Sequence, residues 1–175
     1  MTEATLGHSR GSSPPGRAEA GRLIALLLPI GLLGGAYAFQ YLGGLYPCEM
    51  CWWQRYPHAI AILLAALAFT APAQSQRSRS LTLLAAFAIA VSGMIAVYHA
   101  GVELKIFAGF TTCTSSAKAA STVELLKQLI KVPLIRFDQV QWTLFGISLA
   151  GWNAIFSLAG ATAIAWLTLS ARRER

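Results

Sequence analysis

Long stretches without a charged residue dominate the pattern of hydrophobic and polar positions in this chain. Four such stretches lack Asp, Glu, Lys and Arg, at 23–47, 57–76, 80–102 and 139–171. Each can cross the roughly 30 Å of bilayer hydrocarbon as a helix rising about 1.5 Å per residue. Backbone amides in lipid must bond within the segment, so we expect helices there. The pattern predicts an all-α membrane protein with a four-transmembrane-helix bundle.

One domain is expected, because a bundle of this size has a single interior. The first residues are polar and rich in Ser, Pro and Gly, which is typical of a disordered tail. The predicted boundaries are a cytoplasmic tail over 1–21, a four-helix domain over 22–171 and a second cytoplasmic tail over 172–175. Within the domain we expect spans at about 23–44, 52–72, 80–98 and 143–168, with outer loops at about 45–51 and 99–142.

Composition excludes an ordinary soluble domain. Of 175 residues, 55% are hydrophobic and 12% are charged, whereas charged residues make up about a quarter of a typical soluble domain. The net charge of +7 could suggest a nucleic-acid partner, but the placement of the basic residues favours the lipid bilayer instead.

The basic residues cluster in three regions that a four-span chain puts on one side of the membrane. Lys and Arg near short loops mark the cytoplasmic side, so both termini are predicted to be cytoplasmic. The residues concerned are Arg10, Arg17, Arg22, Arg77, Arg79, Arg172, Arg173 and Arg175. The outer loop over 99–142 also carries basic residues, but long loops follow this rule less closely.

The second outer loop contains its own helix signal. Ser121 and Glu124 have the spacing of a capping box, and apolar residues follow at helical spacing up to Leu134. This predicts a short amphipathic helix. It could lie on the membrane surface or pack on top of the bundle, and the sequence leaves both open.

A Cys-x-x-Cys motif stands between the first two apolar stretches. Pro47 precedes Cys48, at a position where chains commonly enter helices. Cysteines at a helix N-terminus are favoured as thiolates, the attacking species in disulfide exchange. Arg55 lies one turn beyond Cys51, so the two share a face and Arg55 could stabilise a thiolate or bind a quinone carbonyl. Alternatively, Arg55 is a snorkelling residue in an aromatic interfacial belt.

A metal site is a weaker hypothesis. Cys48, Cys51, Cys113 and His99 could form a Cys3His zinc site, but such sites are usually built from two close ligand pairs and only one is present. We therefore expect no metal. His99 is a further candidate for cofactor binding, although a histidine at this position is more commonly a satisfied interfacial residue.

Several linked motifs resemble those of the DsbB family, bacterial membrane proteins that generate disulfides by reducing quinones. The motif P-C-E-M-C followed by Q-R and P-H, over 47–58, resembles the first outer loop of that family. The motif Y-H-A-G-V-E followed by A-G and T-T-C, over 98–113, resembles the entry to its second loop. The residues V-P-L-I-R, Asp138, Trp142 and L-F-G-I-S-L-A-G-W-N, within 132–153, resemble the exit into its fourth helix.

The resemblance implies a two-stage electron relay in the bacterial inner membrane. A reduced, DsbA-like periplasmic thiol oxidase would pass electrons to a disulfide in the second loop that includes Cys113. Electrons would then reach Cys48–Cys51. Cys48 would be the more exposed partner, and Cys51 would contact ubiquinone or menaquinone. Arg55 would help to hold the quinone.

The chain departs from the family pattern at Phe137, where a cysteine is expected. Cys113 therefore lacks its usual partner, and three interpretations follow. The relay is impaired or altered; or Cys113 pairs with Cys48; or Cys48–Cys51 takes electrons directly from a specialised partner. A non-catalytic membrane scaffold that retains the motifs is a separate hypothesis.

Overall fold

The computed structural model describes residues 16–108 and 139–171. Within these ranges the chain forms four α-helices and one two-stranded antiparallel ladder. The elements are α1 (Arg17–Tyr41), α2 (Glu49–Ala68), α3 (Gln76–Glu103), β1 (Thr143–Leu144), β2 (Ile147–Ser148) and α4 (Leu149–Ser170). Cys113, Phe137 and the predicted amphipathic helix lie outside the described residues.

Three of these helices, α1, α3 and α4, are long and apolar enough to cross a membrane. This agrees with the predicted all-α membrane protein. The helix α2 carries Glu49, Gln54, Arg55 and His58 in its first half. Its role as a fourth span stays a prediction.

The helices pack in a ring in which α3 contacts α2 and α4 extensively, and α1 contacts the same two helices from the other side. Small residues fill the interior, including Ala25, Ala61, Ala85 and Ala161, with Ile89 and Ile164 among them. Small side chains allow helix backbones to approach closely, which is how membrane helices commonly gain packing energy. The bundle is therefore tight at its centre.

A tight hairpin precedes α4 and corrects one predicted boundary. Phe145 and Gly146 both have positive φ, 53° and 77°, as the two-residue turn favoured in antiparallel hairpins requires. The Ser148 hydroxyl then accepts a hydrogen bond from the Gly151 amide nitrogen at 3.1 Å and caps the N-terminus of α4. The fourth helix thus begins at Leu149, not at about 143, because 143–148 is extended and turn structure.

Candidate functional site

The two cysteines of the Cys-x-x-Cys motif lie at the start of α2. Cys48 is the N-cap residue, and its sulfur accepts a hydrogen bond from the Cys51 amide at 3.2 Å. The predicted helix start is therefore confirmed. The two Sγ atoms are 2.8 Å apart and both residues are free thiols, so the geometry is that of a reduced pair sharing a proton.

The relative exposure of the cysteines differs from the expectation. Cys48 is 4% exposed, whereas Cys51 is only partly buried, so Cys48 is not the more exposed partner in this geometry. The hydrogen bond to the Cys51 sulfur and burial together raise the pKa of Cys48 well above its usual range. This direction favours Cys51 as the sulfur that loses the first proton of the pair.

His99 lies against the cysteine pair from α3. Its Nε2 is 3.7 Å from Cys48 Sγ and 3.7 Å from Glu103 Oε1. The Glu103 carboxylate also accepts a hydrogen bond from the Ser148 hydroxyl. This contact exists because α3 continues to Glu103, beyond the predicted end of the third span at about 98.

A buried polar network extends from His99 into the bundle and joins three helices. The Gln54 amide nitrogen lies 2.8 Å from His99 Nδ1, and the Gln54 carbonyl oxygen accepts from Asn153 Nδ2 at 2.8 Å. Asn153 Oδ1 is 3.0 Å from His58 Nε2, and Ser92 Oγ donates to the Gln54 backbone carbonyl at 2.9 Å. Such groups can be buried only when they satisfy one another.

Arg55 is buried between two aromatic rings. Its guanidinium lies 4.7 Å from the Tyr37 ring centroid and 4.8 Å from that of Trp52. It also donates to Gln40 Oε1 at 2.6 Å and to the Ala36 carbonyl at 3.3 Å. Since only 7% of Arg55 is exposed, the snorkelling interpretation is wrong, and the arginine is fixed against α1.

A cavity of about 390 Å³ brings most of the predicted site residues together. This volume falls within the range of about 300–1,000 Å³ that is usual for small-molecule sites. Its polar lining includes Cys48, Cys51, Arg55 and His99, together with Gln54, His58, Glu103 and Asn153. The remaining lining is mostly apolar and comes from α1, the segments at 45–47 and 139–142, the hairpin and α4. The position of Cys113 relative to this cavity is outside the described residues.

Four polar residues that line the cavity, and Ser92 in the network behind them, were not among the sequence candidates. Polar groups within otherwise apolar membrane spans are a known sign of a functional site, and this signal was available in the sequence. The sequence could not reveal which of these polar groups form hydrogen bonds with one another. The five are Gln54, His58, Ser92, Glu103 and Asn153.

The two cysteines and His99 lie close enough together to ligate one metal ion. The ligand atoms of Cys48, Cys51 and His99 all lie within 4.8 Å of one another. The expectation that the site holds no metal stays a prediction.

The family model described as "Disulfide bond formation protein DsbB" matches residues 18–167. The chain belongs to the DsbB family. The match includes α2 and α3 completely and all but the outermost residues of α1 and α4, and it includes the cysteine pair, Arg55 and His99. Membership in this family makes the chain a membrane oxidoreductase of disulfide bond formation.

Two relatives of the chain are similar along most of its length. A protein of Hahella chejuensis named "Disulfide bond formation protein B" is 28% identical over 159 residues, which cover 87% of this chain and 93% of the relative. A protein of Rickettsia prowazekii named "Uncharacterized protein RP370" is 23% identical over 139 residues, covering 78% and 79%. No solved structure gave a significant match.

Proposed function

We propose that this chain is a bacterial inner-membrane protein-dithiol:quinone oxidoreductase in which Cys48 and Cys51 reduce a quinone in the cavity. The observation that carries the proposal is the convergence of the dithiol, Arg55 and His99 on one largely apolar cavity. Both termini would be cytoplasmic and α2 would be the fourth span, which puts the cysteines on the periplasmic side, where disulfides persist.

The residues around the cavity suit a quinone. Apolar side chains from α1 and α4 can cover a ring and a hydrocarbon tail, while Arg55 and His99 can meet the carbonyl oxygens. Within the described part of the chain, Arg55 Nε and His58 Nδ1 are buried without a hydrogen-bond partner. Each of these atoms can therefore still form a hydrogen bond with a ligand. We infer that ubiquinone or menaquinone binds here.

The cysteines carry the electron transfer. When bound, the quinone supplies a two-electron acceptor, and two electrons and two protons leave the dithiol as the Cys48–Cys51 disulfide forms. Cys51 carries the initial negative charge, because the raised pKa of Cys48 keeps the proton on the other sulfur. Arg55 lies one turn away on the same helix and stabilises that charge. His99 holds Cys48 from α3 at 3.7 Å.

The source of electrons is a reduced, DsbA-like periplasmic thiol oxidase. In this chain Cys113 lacks the expected partner cysteine, because Phe137 occupies that position. We propose that the relay from the partner is therefore altered, while the quinone half-reaction survives because all the residues that it needs are present.

Mixing the reduced, purified protein with a short-chain ubiquinone tests the quinone half-reaction. We expect one quinol to form per Cys48–Cys51 pair. Quinol formation is measured as the loss of quinone absorbance, and the new disulfide is mapped by differential alkylation. A dithiol that stays reduced in the presence of excess quinone would contradict the proposal and would favour a non-catalytic scaffold.

Turnover with a reduced DsbA-like protein tests the altered relay. We expect this steady-state rate to be at least about tenfold below that of a four-cysteine relative, because exchange through a second-loop disulfide is not possible. The Phe137→Cys variant should recover much of the difference. Equal rates for this protein and a four-cysteine relative would instead indicate direct oxidation of the partner by Cys48–Cys51.

A further inference from the structure

The proton on His99 can be located from the neighbours of the ring. A neutral imidazole carries one N–H and one acceptor nitrogen, and the partner of each nitrogen decides which is which. His99 is 4% exposed, so these partners come from the protein. The assignment matters because Nε2 faces the Cys48 sulfur and the Glu103 carboxylate.

A backbone carbonyl determines the orientation of the Gln54 amide. Gln54 Nε2 lies 3.2 Å from the Met50 carbonyl oxygen. That oxygen can only accept, so the group that faces it must be the amide NH2. The second hydrogen of the same NH2 points to His99 Nδ1 at 2.8 Å. Nδ1 must therefore be the acceptor, and the proton of neutral His99 lies on Nε2.

Asn153 is placed to match the orientation of Gln54 that the Met50 carbonyl requires. Its Nδ2 donates to Gln54 Oε1 at 2.8 Å, and its Oδ1 accepts from Ser157 Oγ at 2.9 Å. Exchanging the two ends of the Gln54 amide would set oxygen against the Met50 carbonyl and NH2 against NH2 at Asn153. Leaving buried polar groups mispaired in this way is strongly unfavourable.

We propose that Gln54 is a positioning residue that holds His99 in its Nε2–H form, directing a hydrogen-bond donor at the cysteine sulfur and the Glu103 carboxylate. The inference concerns the same site as the proposed function. It rests only on hydrogen-bond partners, not on the identity of the electron acceptor. In this form His99 presents an N–H to the Cys48 sulfur and cannot accept the Cys48 proton through Nε2, which agrees with the assignment of the negative charge to Cys51.

The same orientation disfavours a metal ion at this site. A metal on His99 Nε2 requires the proton on Nδ1, and metal-bound histidines usually donate that proton to a carboxylate or carbonyl. Gln54 presents a donor there instead. A carboxylate at position 54 would reverse the preference, because it accepts from Nδ1 and leaves Nε2 free to bind a metal beside the two thiols.

Nitrogen NMR of reduced, 15N-histidine-labelled protein in nanodiscs tests the proposal. The chain has three histidines, so the His8→Gln and His99→Gln variants assign the signals. We expect His99 to show a protonated Nε2 and an unprotonated Nδ1. In Gln54→Glu, Nδ1 should become protonated. An Nδ1–H form in the unmodified protein would overturn the proposal, and so would identical His99 signals in both proteins. The unmodified protein alone decides the first point if the variant does not fold.

Zinc binding to the reduced proteins provides a readout that does not depend on quinone. Competition with a chromophoric chelator should give Gln54→Glu an affinity about tenfold or more above that of the unmodified protein, the usual effect of the group behind a histidine ligand. Equal affinities would overturn the proposal. Neither measurement uses quinone reduction, so failure of the proposed activity would be seen separately.

Discussion

Replacing Cys51 with alanine is expected to abolish quinol formation by the reduced protein, with a fall of more than about a thousandfold, as for removal of other catalytic nucleophiles. The Cys51 sulfur is the partly exposed member of the pair, and it carries the charge because the pKa of Cys48 is raised. Without it, Cys48 has no other cysteine sulfur within bonding distance among the described residues, so the Cys48–Cys51 disulfide cannot form.

A matched control separates this chemical effect from a change in folding. Tyr56→Phe alters an exposed side chain on the same helix, near Cys51 in sequence. We expect it to retain quinol formation within about twofold, as is usual for exposed positions that touch no buried group. Both variants are compared by anaerobic quinone reduction with equal amounts of folded, reduced protein. Substantial Cys51-independent quinol formation would show that another group reduces the quinone.

The Asn153→Leu variant is expected to destabilise the bundle by about 2 kcal/mol or more. Asn153 supplies the donor to Gln54 Oε1 and accepts hydrogen bonds from His58 Nε2 and Ser157 Oγ. A leucine removes the printed partners of Gln54 Oε1 and Ser157 Oγ, whereas His58 Nε2 keeps its contact with Ser92 Oγ at 3.0 Å. Each unsatisfied buried group costs about 1–3 kcal/mol. The loss should appear as a lower midpoint of unfolding in detergent micelles.

Two further variants make this stability test specific. Ile155→Leu changes an exposed apolar residue on the same helix, and we expect no more than about 0.5 kcal/mol of change. In the Asn153→Leu, Ser157→Ala double variant one of the stranded groups is absent. It should therefore be more stable than Asn153→Leu alone, because removing both partners of a buried hydrogen bond is less costly than removing one. Equal stability of Asn153→Leu and the unmodified protein would mean that the network does not hold α4 in place.

The position of Arg55 relative to Cys51 was predictable from the sequence. The sequence indicated that Arg55 shares a face with Cys51, and both line the same cavity. Helical periodicity is sufficient for that conclusion, because residues four apart on a helix are neighbours. Its burial between Tyr37 and Trp52 was not predictable, since Tyr37 belongs to α1 and local periodicity carries no information about which helices meet.

The sequence by itself determined the membrane class, the apolar helices and the cysteine pair at the start of α2. These follow from local properties, namely the length of apolar segments and the chemistry of a helix N-terminus. Only the tertiary structure decided that Cys48 is the buried thiol and that Gln54, His58 and Asn153 join in one network. The network joins residues as many as 99 positions apart. Their pairing depends on helix packing, which the pattern along the chain does not encode.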